Sequence, residues 1–165
     1  MCGIAGLIAK DSPTLGNDLI NMLKELIHRG KDATGVALYE NRDTIDLRVS
    51  MTAAEYQKNL EKIIAGYGQT SNARIYQGQG IFTFFEASVD MDPGRISDLN
   101  WAIDSHPNLC VHSLGQQIKV FKDEGSAEEL QNCHQIPPIS GTHGIGHVRL
   151  ATESVENINF AHPFI

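Results

Sequence analysis

The chain begins Met1-Cys2-Gly3-Ile4-Ala5-Gly6-Leu7-Ile8-Ala9. Within it the apolar run Ile4–Ala9 reads as a short buried strand ending in the turn signal Lys10-Asp11-Ser12-Pro13. Removal of Met1, which the modest side chain of cysteine permits, would make Cys2 the amino terminus. Thiol and α-amine would then share one residue. An N-terminal amine titrates at about 7.7–8.0, so near neutral pH a fair share is free base, able to take the thiol proton. Gly3 and Gly6 allow close backbone approach and turns closed to other residues. The plainer alternative is an incidental cysteine at a frayed terminus, or the first residue of a buried strand. Thiol reactivity is set by environment, so position two alone leaves both readings open.

The 165 residues predict one domain, 1–165, since a chain of about 150 residues buries roughly 70% of its unfolded surface. Hydrophobic content of 41% against 20% charged is the profile of a globular protein and not of a disordered one. The net charge of −7, with Lys10, Lys24, Arg29, Lys31, Lys58, Lys62, Lys119 and Lys122 scattered, argues against nucleic acid, which wants clustered cations. No apolar run approaches the roughly 20 residues of a membrane span, and the start lacks the form of a signal peptide. Cys2, Cys110 and Cys133 are odd in number and irregular in spacing. That disfavours a disulfide framework and predicts a cytoplasmic location.

Periodicity predicts a helix from Asn17, capped by Asn17 or Asp18, with Leu19, Ile20, Met22, Leu23, Leu26 and Ile27 on one broad face and Gly30 at its end. Strands are expected at 35–39 and 45–49, joined as a hairpin by Asn41-Arg42-Asp43. Thr52-Ala53-Ala54-Glu55 has capping-box form and opens a helix through Ile64, closed by Gly66. Further strands are expected at 81–85, 109–114, 118–121 and 145–150, the middle two as a hairpin through Gly115-Gln116-Gln117. No repeat, low-complexity tract or linker divides the chain.

Two strings besides the N-terminus can carry chemistry: His28-Arg29-Gly30-Lys31-Asp32-Ala33-Thr34-Gly35 and Gly146-His147-Val148-Arg149-Leu150-Ala151-Thr152, with Ala161-His162-Pro163-Phe164 shortly after. Arg149 lies in an apolar strand pattern, and a near-interior arginine needs an anion, its planar fork suiting a carboxylate bidentately. An internal ion pair or a snorkelling edge arginine would satisfy it too. His143 and His147 follow Cys133-His134 at spacings zinc sites use. Gly141 and Gly144 predict a loop there, and no second cysteine pair completes a set, so no metal is expected. Cys110 and His112 fall on one face of an expected strand, as packing and not as a dyad.

Taken together, these strings resemble the class II (N-terminal nucleophile) glutamine amidotransferases. The likeness runs in order through Cys2-Gly3-Ile4-Ala5-Gly6, His28-Arg29-Gly30-x-Asp32-x-x-Gly35, Gly146-His147-x-Arg149-x-Ala151-Thr152 and Ala161-His162-Pro163. It covers 1–40 and 144–165 well and the middle loosely. Ala151-Thr152-Glu153-Ser154 followed by Ala161-His162-Pro163-Phe164 is most similar to amidotransferase subunits of glutamate-synthase-like enzymes, including the methylglutamate synthase type.

The resemblance implies an α+β fold of Ntn-hydrolase type, a four-layer α/β/β/α sandwich of two antiparallel sheets. It implies hydrolysis of glutamine to glutamate, with Cys2 as nucleophile and the ammonia delivered to a synthase site. Arg149 would hold the α-carboxylate of glutamine, Thr152 and His162 would line the same pocket, and Arg29 and Gly30 would shape the loop beside the nucleophile. Family members place an Asn-Gly oxyanion pair after the His-Pro string and an amine-binding aspartate beyond it. This chain ends at Ile165, so a domain truncated at its C-terminus and lacking oxyanion donors is expected. The resemblance also implies a separate synthase subunit as partner, with any flavin and iron–sulfur cofactors on that subunit and none here. A catalytically silent regulatory or assembly subunit is the alternative, and an N-terminal-nucleophile hydrolase of another amide a more distant one.

Overall fold

The computed structural model describes residues 1–40, 42–136, 139–151, 158 and 161–164, residue 11 through its backbone only. They form two compact units, one of 1–41 with 119–165 and one of 42–118. The fold is α+β with two antiparallel sheets, as expected, and among the described residues each sheet has four strands and there are four α-helices.

The first unit contains β1 (Gly3–Ser12), α1 (Leu15–Glu25), β2 (Ala33–Tyr39) and, after the second unit, β7 (Ile118–Glu124), α4 (Ala127–His134) and β8 (Gly141–Arg149). Its sheet runs β1-β8-β2-β7. β8 is central, pairing Gly3 with Val148 on one side and Gly35 with His147 on the other. Alternation along these strands puts Ala5, Val36, Leu38, Phe121 and Val148 on the face covered by Leu15, Leu19, Ile20 and Leu23 of α1 and Leu130 of α4. Each such leucine, fully withdrawn from water, contributes about 1.5–3 kcal/mol.

The second unit contains β3 (Ile45–Met51), α2 (Gln57–Ala65), β4 (Gly68–Gln77), β5 (Thr83–Met91), α3 (Ile96–Asp104) and β6 (Leu109–Gly115), with sheet order β4-β5-β3-β6. Ile45, Leu47, Val49 and Met51 alternate onto one core with Leu60, Ile64, Leu99 and Ile103 of the helices. On the other face Arg48 pairs with Glu86 and donates to the Tyr76 hydroxyl at 2.5 Å.

Several local expectations are corrected. α1 begins at Leu15, before Asn17, and Asp18 accepts a bond from Thr14 Oγ1 at 2.8 Å instead of capping. The helix yields at Glu25 to a 3-10 turn, Ile27–Arg29, which Gly30 ends. Neither expected hairpin forms, because β2 and β3 belong to different sheets, as do β6 and β7. Asn41 itself lies outside the described residues. The expected loop at 141–144 is strand, its glycines admitting leucine side chains of α1. Thr52 makes no capping box; its backbone N–H and hydroxyl both donate to Asn108, and α2 follows a 3-10 turn at Ala54–Tyr56. The shared face expected of Cys110 and His112 holds: Cys110 pairs with Ser50, the ladder partner of Phe84, and the His112 ring lies 5.8 Å from that of Phe84, while the register shift follows, at Val49 and Arg48.

Candidate functional site at the end of the β1–β8 ladder

Cys2 is exposed and immediately precedes Gly3, whose ladder partner is Val148; Arg149 immediately follows Val148. The two residues therefore stand at the same end of the same pair of strands. Met1 precedes Cys2, and Nη2 of Arg29 donates to its Sδ at 3.7 Å. The 3-10 turn carrying Arg29 sits hard against this corner. A Cβ on Gly3 would lie 2.9 Å from Val148 Cγ2 and 3.2 Å from Arg29 Cβ.

The string His28–Gly35 is a clamp on the end of β8. A Cβ on Gly30 would fall 2.4 Å from the carbonyl carbon of Arg149, so only glycine lets the turn close there. Asp32 follows, its N–H donating to the Arg149 carbonyl at 3.0 Å and its Oδ2 accepting from the Ala151 N–H at 2.6 Å. Thr34 and Asp32 also bind the turn after β7, Thr34 Oγ1 donating to the Gly125 carbonyl at 2.8 Å and the Gly125 N–H donating to the Asp32 carbonyl at 3.0 Å. Arg149 is thus fixed along its backbone, and the residue is only 7% exposed.

Farther along β2, Gly35 performs the same service for residues 161–164. A Cβ there would meet the His162 carbonyl oxygen at 2.1 Å. The His162 ring lies 5.3 Å from that of His147, nearly perpendicular at 72°, and 4.4 Å from Phe164, over which Lys122 Nζ sits at 4.7 Å. His147, Arg149 and Lys122 are all buried. Burial holds the His147 pKa below its usual 6.5, and His162, Arg149 and Lys122 push it further down. The imidazole is therefore neutral at pH 7, and its Nδ1 has no hydrogen-bond partner among the described residues. Cations gathered on one sheet face suit a carboxylate-bearing ligand, which Arg149 can grip by two parallel bonds.

Of the residues singled out from sequence, Cys2, Arg29, Gly30 and Arg149 share one corner, and His162 lies across β2 beside His147. Thr152 lies outside the described residues. Asp32, Lys122 and His147 are the additions. Asp32 and His147 sit inside the quoted strings, and Lys122 interrupts an apolar strand pattern. His143 is exposed, stacked on Tyr39 at 4.0 Å, and four strand residues from His147 is about 13 Å, too far to share an ion. A separate group, Asp123 with Cys133 and His134, brings three donor atoms within 4.8 Å of one another. No helix among the described residues is long and apolar enough to cross a membrane.

No family model matches the chain. It is 29% identical over 171 aligned positions to the glutamine amidotransferase-like protein GlxB of Rhizobium meliloti, covering 99% of this chain and 54% of that protein. It is likewise 29% identical over 175 positions to a protein of Methanothermobacter thermautotrophicus named "Putative glutamine amidotransferase", covering 99% of this chain and 56% of that protein. The chain therefore spans little more than half the length of these relatives, and its whole length is similar to proteins named as glutamine amidotransferases or as like them.

Proposed function

We propose that this chain carries the glutaminase half-reaction of a class II glutamine amidotransferase. Once Met1 is removed, the Cys2 α-amine takes the thiol proton and the sulfur attacks the side-chain amide carbon of glutamine. The proton passes to the leaving nitrogen, the C–N bond breaks, ammonia departs and a thioester remains. Water then adds to the thioester, releasing glutamate and restoring the thiol. Arg149 grips the α-carboxylate, Thr152 and His162 line that pocket, and Arg29 with Gly30 shapes the loop beside the nucleophile. The observation that carries this reading is the placing of Cys2 and Arg149 at one end of a single ladder, with the His28–Gly35 clamp fixing the arginine. Similarity to two amidotransferase-like proteins along the whole chain supports it.

While Met1 is present the Cys2 nitrogen is an amide and can accept no proton, so activity requires processing. Protein expressed from its whole reading frame should release glutamate from glutamine, show a mature mass lacking Met1, and lose the activity in Cys2→Ala. A diazo-ketone analogue of glutamine should label Cys2 and spare Cys110 and Cys133. Glutaminase activity that persists in Cys2→Ala refutes the assignment, and a retained Met1 with no activity leaves the silent-subunit reading in its place.

The ammonia acceptor is assigned to a separate synthase-like subunit in the cytoplasm, with any flavin and iron–sulfur chemistry on that subunit. Co-purification with the product of a neighbouring synthase gene, and a changed glutaminase rate in its presence, would support the coupling. A rate indifferent to that protein would count against it.

A further inference from the structure

We propose that Asp123, Cys133 and His134 form a binding site for a divalent transition-metal ion of the zinc class. Asp123 points from β7 to the face opposite Lys122, toward α4, which supplies the other two residues. The sequence gives this set no familiar spacing, since Asp123 lies on a different element from the adjacent pair. A thiol, an imidazole and a carboxylate are the donors zinc takes. Their donor atoms lie within 4.8 Å of one another. Tetrahedral zinc bonds of about 2.0–2.3 Å place ligand atoms roughly 3.3–3.8 Å apart, so the set need contract by only about 1 Å.

The Asp123 carboxylate is held from outside. Asp123 Oδ1 accepts from the Glu124 N–H at 2.9 Å, an outer contact, whereas its Oδ2 meets Nε2 of His134 at 3.0 Å within the set itself. Outer contacts of this kind orient metal ligands. α4 starts on a reciprocal capping box between Ser126 and Glu129 and stops at Gln135, whose φ of 48° ends the helix directly after His134. Gln131 ties α4 to α1, accepting from Lys24 Nζ at 2.9 Å and donating to Asn17 Oδ1 at 3.4 Å. The Asp123 and His134 side chains are wholly buried, and a carboxylate taken out of water is costly unless positive charge meets it. Cys133 is partly exposed, which gives the ion a way in and leaves a fourth position for water. On binding, Cys133 releases its proton to solvent, His134 coordinates as neutral imidazole, and the Asp123–His134 hydrogen bond is exchanged for bonds to the ion.

This site stands apart from the amidotransferase reading, and its test does not measure glutaminase activity. Co2+ is added to reduced, metal-free protein, with Cys2→Ala and Cys133→Ser alongside. One equivalent should produce thiolate-to-cobalt charge-transfer absorption, kept in Cys2→Ala and lost in Cys133→Ser. In the unsubstituted protein, Zn2+ at about 100 times its Kd should slow alkylation of Cys133 about 100-fold and leave Cys110 unchanged, a readout that needs no variant to fold. Absence of a thiolate band at one equivalent, a band that survives in Cys133→Ser, or Cys133 alkylation indifferent to Zn2+ overturns the proposal.

Discussion

Asp32 and Ala151 are joined by a 2.6 Å hydrogen bond from the Ala151 N–H to the Asp32 carboxylate, while the Asp32 N–H returns a bond to the carbonyl of Arg149. One side chain thus closes the last turn of chain around the buried arginine. Hydrogen bonds to a charged group contribute about 1.5–3 kcal/mol, and Asp32→Ala should cost an amount in that range. Asp32→Asn keeps an acceptor oxygen and should cost less. Denaturant titration of the two variants checks the order; equal losses would show that the carboxylate charge is irrelevant there.

Arg149→Lys tests the proposed substrate contact. A point charge cannot reproduce a planar fork, so kcat/KM for glutamine should fall, mostly through KM, by about 1.5–3 kcal/mol of lost binding. The melting temperature should hold. If Arg149 instead serves an internal carboxylate, the melt will drop and KM will stay.

His147 should make stability depend on pH below neutrality. Its folded pKa lies below the 6.5 of the exposed group, chiefly through burial. Between those two values the unfolded chain binds a proton that the folded chain does not. The contribution is therefore complete above about pH 6.5 and is lost as pH falls toward the folded value. His147→Gln should flatten this slope in melts from pH 7.5 to 5; an unchanged slope would move the effect to another group.

Tyr76 should titrate late. Burial, with Glu86 adding to it against the opposing pull of Arg48 and Arg74, pushes its hydroxyl to about 12. The unfolded phenol ionises near 10, so the fold loses stability as pH rises from about 10 to 12. Difference absorbance of phenolate, compared with a Tyr76→Phe variant, should show one transition missing from the range near 10. Normal titration of Tyr76 would place it in water.

Gly35→Ala tests the packing of 161–164. A methyl 2.1 Å from the His162 carbonyl oxygen must push that segment off β2. Overpacking of this kind costs about 1–3 kcal/mol. The His147 pKa should also rise toward 6.5 as His162 departs, which proton NMR of the imidazole would read.

The contiguous strings were the legible part of the site. Cys2, the His28–Gly35 run and Arg149 carry their pattern in neighbouring residues, and the structure brings their ends together. Lys122 was not legible in that way, because its place on the same sheet face depends on β7 pairing beside β2. The same long-range pairing explains the two unmade hairpins: neighbouring strands often pair, but here the chain changes sheet after β2 and again after β6. β4 is hidden by exposure, with most of 68–77 polar and no face buried. Of the capping-box patterns Thr52–Glu55 and Ser126–Glu129, each just ahead of a helix, Ser126–Glu129 forms the box, whereas Asn108 occupies the Thr52 side chain and backbone.

Gly144 and Gly146 present nothing but backbone to α1, whose Leu19 and Leu23 side chains would lie 3.1 and 2.6 Å from any added Cβ. Val148 apart, the wall between the helix and the face bearing His147 and Arg149 is here one peptide ribbon thick. The leucines of the helix thus act as a datum surface for the opposite side of the sheet. A methyl added at Gly146 would not stay a core defect: it would be transmitted through the ribbon as a displacement of the two side chains behind it.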